Sequence, residues 1–152
     1  MSQLRVLCRV VTYNLETCSI LLVRNRGQEW WCAPGGGWDY TRETILQCGT
    51  REMLEETGVR VSIVRLLYLQ TLYIEKQDNT QLEQFWLAKP IGRTEIPHGH
   101  IDQFGIVEEA RWFNSLEIQA ITVYPEILKK SFWDAVTGII QEENRYLGHS
   151  IL

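Results

Sequence analysis

The chain lacks the features that would send it to a membrane, a disulfide scaffold or a nucleic-acid surface. Its 152 residues hold no apolar run of bilayer-spanning length. Arg5 and Arg9 interrupt the N-terminal apolar stretch that a signal peptide would need. A cytoplasmic protein with no membrane partner is therefore expected. Cysteine is sparse: Cys8, Cys18, Cys32 and Cys48 show no C-x-x-C spacing. Neither zinc nor disulfide use is expected, and buried, reduced thiols are. Positive charge is not in excess, with 15 Lys and Arg against 19 Asp and Glu and a net charge of −4. That balance argues against a nucleic-acid polymer as partner, which would call for a basic face. It leaves a nucleotide substrate open, because a bound cation neutralises phosphate locally. There is no internal repeat, low-complexity tract or linker. The length suits a single domain, 1–152, that buries roughly two-thirds of its unfolded surface.

The β-branched run Leu4 to Tyr13 predicts a strand, Ser19 to Arg24 a second, and Glu29 to Ala33 a short third that runs into a glycine turn. Val61 to Glu75 reads as one bent strand or two. Lys76 to Gln81 reads as a hairpin loop, and Leu82 to Lys89 as the returning antiparallel strand. Pro90 to Phe104 is a loop holding His98 and His100, and Ile106 to Phe113 is a further strand. Ser115 to Ala120 suits a short helix capped by Asn114 or Ser115. Pro125 is placed to open a second long helix through about Ile140, with Ile127, Leu128, Phe132, Ala135, Val136 and Ile139 as its apolar stripe. The following run, Gln141 to Arg145, is polar and suits solvent. Strands interleaved with two separated helices predict an α/β fold, a mixed β-sheet covered on both faces.

The richest stretch is Gly35-Gly36-Gly37 followed by Arg51-Glu52-Met53-Leu54-Glu55-Glu56-Thr57-Gly58-Val59. Thr41 is a candidate N-cap, and Gly58 stands where a residue of positive φ ends a helix. Ile45, Leu46, Gly49 and Met53 fall on one side at helical period and should pack inward. Glu52, Glu55 and Glu56, at i, i+3 and i+4, meet on an adjacent side. Three like charges repel by a few tenths of a kcal/mol per pair, and the only neighbouring base is Arg51, in reach of Glu55. A hard cation such as Mg²⁺ relieves this, because it takes oxygen ligands and keeps water and phosphate oxygens in its shell. The alternative is an acidic, solvated helix face, to which the glycines on either side would add nothing.

Gly37 to Val59 fits G-x5-E-x7-R-E-U-x-E-E-x-G-U, where U is a bulky aliphatic, with Gly37, Glu43, Arg51, Glu52, Met53, Glu55, Glu56, Gly58 and Val59 in the specified places. This resembles the Nudix box, the signature of the Nudix hydrolase superfamily. The resemblance implies an α/β/α sandwich and a Mg²⁺- or Mn²⁺-dependent attack of water on a diphosphate linkage of a small-molecule nucleotide. By motif position, Glu52, Glu55 and Glu56 are the metal carboxylates, joined by a backbone carbonyl of Gly37 or Gly36. Glu52 is the candidate general base, Arg51 orients the glutamates, and Glu43 either partners Arg51 or supports the metal ligands from behind. A homodimer is a further expectation of the resemblance. Two departures stand out: Arg42 precedes Glu43 where family members often carry Gly, and Pro34 lies further from Glu43 than usual.

Beyond the box, Arg24 reads either as a phosphate contact or as a solvated strand end. Trp30 and Trp31 are adjacent and face opposite ways, one suited to stack on a base or sugar and the other to the core. Glu108, and after it Asp102, are candidates for the extra carboxylate that a late loop often adds in the family. His98 and His100 are candidate acid–base groups, with a loop free of catalytic duty as the alternative. No subclass mark is clean: none of Pro34, Pro90, Pro97 and Pro125 stands where ADP-ribose hydrolases carry proline, and Tyr73 lies only near the spacing of dinucleoside polyphosphate hydrolases. The substrate class is thus a nucleoside diphosphate linked to another moiety. The competing reading is a non-catalytic nucleotide-binding regulatory module.

Overall fold

The computed structural model describes residues 2–102 and 104–152. Its strands are β1 (Gln3–Asn14), β2 (Ser19–Asn25), β3 (Trp31–Cys32), β4 (Gly35–Gly37), β5 (Val61–Ile74), β6 (Asn79–Pro90), β7 (Val107–Asn114), β8 (Val123–Tyr124) and β9 (Tyr146–Ile151). The helices are α1 (Ile45–Thr57) and α2 (Ser131–Val136). The sheet order is β8-β3-β2-β1-β6-β5-β9, with β4 also paired to β1 and β7 to β2. The β1–β6, β3–β8 and β5–β9 pairs are parallel and the others antiparallel, so the sheet is mixed.

Side chains on alternate positions of the central strands feed two cores. Cys8 and Val10 of β1 and Leu21 of β2 pack under α1 with Cys48 and Met53. Val11, Ile20 and Leu22 point the other way, against Phe113, Leu128 and Phe132. Burial on both faces explains the uninterrupted apolar run of β2. Helical segments thus cover the sheet on either side, the expected α/β/α sandwich.

Helix α1 begins three residues later than predicted. Thr44, not Thr41, is the N-cap: its hydroxyl accepts from the Gln47 amide while the Gln47 side chain accepts from the Thr44 amide. That reciprocal capping box outcompetes Thr41, whose hydroxyl and amide are both committed to Asp39. Gly58 ends the helix at φ 74°, its N–H donating to the Leu54 carbonyl. Gly49 and Met53 are buried as predicted, but Leu46 is exposed and Cys48 takes the inward place.

The glycine segment is a strand rather than a turn. Gly35, Gly36 and Gly37 pair antiparallel with Arg9, Cys8 and Leu7. Three residues without side chains can lie this close to β1 and α1, where a Cβ on Gly35 would collide with the Cys8 carbonyl. The predicted hairpin loop is shorter than expected: a 3₁₀ turn at Glu75–Gln77 and Asp78 at φ 44° return the chain, and pairing resumes at Asn79. The predicted long helix after Pro125 breaks into a 3₁₀ turn at Glu126–Lys129 and α2, separated at Lys130 (φ −122°, ψ −119°). Leu128 and Phe132 are fully buried, but Ile139 lies beyond the helix and is exposed. The polar run after it is not wholly given to solvent, since Glu142 accepts from Tyr68 Oη at 2.8 Å and Ser131 Oγ at 3.1 Å. Strand β9, not foreseen, then runs parallel to β5.

Candidate active site

Helix α1 crosses behind β4, and Gly49 permits the approach: a Cβ there would lie 2.9 Å from Cys8 Sγ and 3.0 Å from Val10 Cγ2. The acidic face of the helix is thereby pressed against bare backbone. The Glu52 carboxylate lies over Gly36, where a Cβ would stand 2.5 Å from its Oε1. One turn on, Glu56 Oε2 accepts the Gly35 amide at 3.2 Å. The carbonyls of Gly36 and Gly37 face the same helix, within 3.8 and 3.6 Å of Cys48 Sγ.

Arg51 organises the remaining carboxylates. It donates twice to Glu43, from Nε at 2.9 Å and Nη2 at 2.8 Å, and its Nη1 reaches both Glu52 and Glu55 at 3.1 Å. This bidentate ion pair holds the Glu43 carboxyl below the ordinary range. Burial acts the other way on the helix: it raises Glu52 despite Arg51, and pushes Glu56 up to about 8 despite Arg9. Among the described residues, no three Asp, Glu, His or Cys side chains converge into a closed cation cage. The donor set nevertheless fits a hard divalent ion. It consists of carboxylate oxygens with backbone carbonyls beside them, and the half-buried Glu56 carboxyl would be relieved of its desolvation cost by a neighbouring cation.

Of the residues expected beyond the box, Arg24 and Glu108 meet each other. Arg24 Nη1 lies 2.8 Å from Glu108 and Nη2 3.2 Å from Glu109, across the β2–β7 pair. Asp102, the weaker expectation, is buried, accepts the amides of Ile106 and Val107, and raises the proton affinity of Glu56 by its charge. Glu108 is thus committed to Arg24, and Asp102 to the backbone of its own loop. His100 is not free in its loop: Nε2 donates to the Glu55 carbonyl at 2.7 Å, and Pro97 and His100 close over Gly58. His98 is exposed. Trp31 is core, edge-on to Phe113 at 4.8 Å. Trp30 stands partly exposed against Tyr124, at the rim of a cavity of about 560 Å³.

That cavity contains side chains that sequence reasoning passed over. Arg9, Gln70, Gln81 and Glu83 line it. Arg9 donates to the Gly35 carbonyl at 3.4 Å and to Glu83 at 3.5 Å, while Glu83 also accepts from Gln70 at 2.9 Å. Their signal was present as polar residues at alternate places in otherwise apolar strands: Gln81 and Glu83 share a face with Phe85, and this polar face is the more buried one. No described helix is long and apolar enough to cross a membrane.

A family model described as NUDIX domain matches residues 2–133. Among solved structures, a NUDIX hydrolase from Nitrosomonas europaea is 20% identical, with all of this chain and 80% of that one covered at a TM-score of 0.68. A UDP-X diphosphatase is 18% identical over 96% of this chain and 68% of its own, with a TM-score of 0.67. A MutT NUDIX hydrolase from Burkholderia pseudomallei is 21% identical over 86% of this chain and 98% of its own, with a TM-score of 0.66. With its box on α1 and the family model spanning most of its length, the chain belongs to the Nudix hydrolase superfamily, enzymes that act on phosphorus-containing anhydrides.

Proposed function

We propose that the protein is a Mg²⁺- or Mn²⁺-dependent pyrophosphohydrolase that cleaves a nucleoside diphosphate linked to another moiety. The observation that carries this is the seating of Glu52 and Glu56 on the unsubstituted backbone of β4, where burial outweighs the nearby Arg9 charge on Glu56. Glu52, Glu55 and Glu56 would hold the metal, with a carbonyl of Gly37 or Gly36 completing the protein's share. When bound, such an ion offsets phosphate charge and lowers the pKa of water. The protein's own part is positional. Glu52 takes the proton of the attacking water as the new P–O bond forms. The anhydride P–O bond breaks, and its electrons leave with the departing phosphate. Arg51 keeps Glu52 and Glu55 aimed, and Glu43 fixes Arg51 in turn. Arg24, Trp30 and Glu108 remain substrate-side candidates, of which Trp30 at the cavity rim is the best placed.

The test is a panel of nucleoside triphosphates, nucleotide sugars and dinucleotides with Mg²⁺ or Mn²⁺, scored for nucleoside phosphate products. Metal-dependent turnover of at least one member is expected. In Glu56→Gln, kcat should fall by about a hundredfold or more with the fold intact. Near-normal activity in that variant would remove the metal assignment. Binding without turnover across the panel would instead mark a non-catalytic nucleotide-binding module.

A further inference from the structure

The cavity opposite α1 is built on one face of the sheet. The register places Arg9 beside Phe85, Gln81 beside Leu72, and Glu83 beside Gln70, so these side chains share that face. Its inner end is continuous with the acidic helix: Arg9 binds the Gly35 carbonyl while Glu56 binds the amide of the same residue. Its walls are Leu72, Ile74 and Phe85, and its mouth is the edge-on Trp30–Tyr124 pair, with ring centroids 6.1 Å apart.

One polar member of this lining is not engaged by its neighbours. Gln81 is 9% exposed, its side chain lies on the cavity wall, and among the described residues its amide has no hydrogen-bond partner. Its amide atoms are not sealed from solvent, so they stay open to water or a guest at the cavity wall. Gln70 and Glu83, beside it, are by contrast bonded to each other. The charges of Arg9 and Glu83 offset, so the cavity as a whole favours an uncharged guest.

We infer that Gln81 is the specificity-determining residue for the organic half of the substrate, and that it reads the hydrogen-bonding edge of a nucleobase. A carboxamide presents a donor and an acceptor side by side in one plane. Each nucleobase offers a matching pair on its edge, whereas a sugar carries its hydroxyls out of plane. The apolar walls and aromatic mouth suit a flat ring, and the volume accommodates a nucleoside. The base-bearing half thus occupies the cavity, and its phosphates emerge past Arg9 toward Glu56. This assignment rests on the hydrolase reading of the same site, which it deepens.

The experiment measures binding of nucleoside 5′-monophosphates and of ribose 5-phosphate to the full chain by isothermal titration, for wild type and Gln81→Leu, alongside thermal unfolding. Wild type should bind at least one nucleoside monophosphate tenfold or more tighter than ribose 5-phosphate. Gln81→Leu should lose most of that difference while its Tm stays within a few degrees of wild type, because the Gln81 amide makes no hydrogen bond within the fold that the change would break. Equal affinity for ribose 5-phosphate, or a Gln81→Leu variant that keeps the preference, overturns the inference. If the variant fails to fold, the wild-type comparison decides, together with competition by the free nucleoside, which should displace the monophosphate. A base preference that depends on Gln81, in a protein that hydrolyses no anhydride, would retain this inference and refute the hydrolase reading instead.

Discussion

Glu56 is the residue on which charge, burial and backbone contact coincide. Burial, which disfavours the charged form, pushes its carboxyl up to about 8, against 4.5 for an ordinary glutamate. Between those values the folded state holds a proton that the unfolded state has released. Stability therefore falls as pH rises through this window. In EDTA, the Tm at pH 8 should lie several degrees below that at pH 5. Glu56→Gln should flatten that slope, and Mg²⁺ should raise the wild-type Tm more at pH 8 than at pH 5. A slope unchanged in the variant would mean that Glu56 is not its source. Arg51 illustrates a residue whose partners were legible in advance. Its i+4 contact to Glu55 follows from helical spacing, whereas its tie to Glu43 was implied only by the family resemblance. Arg9 was not legible, because what makes it important is β6 and Gly35 lying on either side of it.

At the scale of elements, the pairing of α1 with β4 depends on two glycines that do different work. Gly36 faces the tip of the flexible Glu52 side chain, and Gly49 faces Cys8 and Val10 in the core. Gly36→Ala should therefore cost little stability but displace Glu52, lowering kcat by about tenfold or more. Gly49→Ala should destabilise by about 1–3 kcal/mol through overpacking. Urea unfolding and steady-state kinetics on both variants separate the two effects, and a stable, inactive Gly49→Ala would contradict the assignment. Thr44→Ala, which removes half of the capping box, should cost about 1 kcal/mol, with Thr41→Ala costing less. The sequence placed the end of α1 correctly through Gly58, since a left-handed C-cap is a local signal. The beginning was missed by three residues, because two threonines compete and only the Asp39 and Gln47 partners decide between them. The helix after Pro125 failed for a related reason: its apolar stripe is real at Leu128 and Phe132, but the break at Lys130 lets both reach one core.

For the molecule as a whole, the site lies at a junction of parts distant in the chain. The helix carboxylates come from residues 52–56, the cavity wall from β5 and β6, and its far side from Ser150 and Leu152 at the chain end. The family match stops at residue 133, yet β9 pairs with β5 and helps close the cavity. A chain ending at residue 144 should unfold at lower temperature and bind nucleoside monophosphates several-fold more weakly, as titration would show. Unchanged affinity would exclude β9 from the cavity. What the sequence determined by itself was local: the box helix, its carboxylate face, its glycine stop and the strand pattern all follow from spacing within a few residues. Only the tertiary structure decided that Gly35–Gly37 is a strand, that Glu108 pairs with Arg24, and that Arg9, Gln81 and Glu83 share one cavity. These depend on register between strands far apart in the chain, 76 residues for β1 and β6, and strand pairing across such distances leaves no periodic trace in either segment alone.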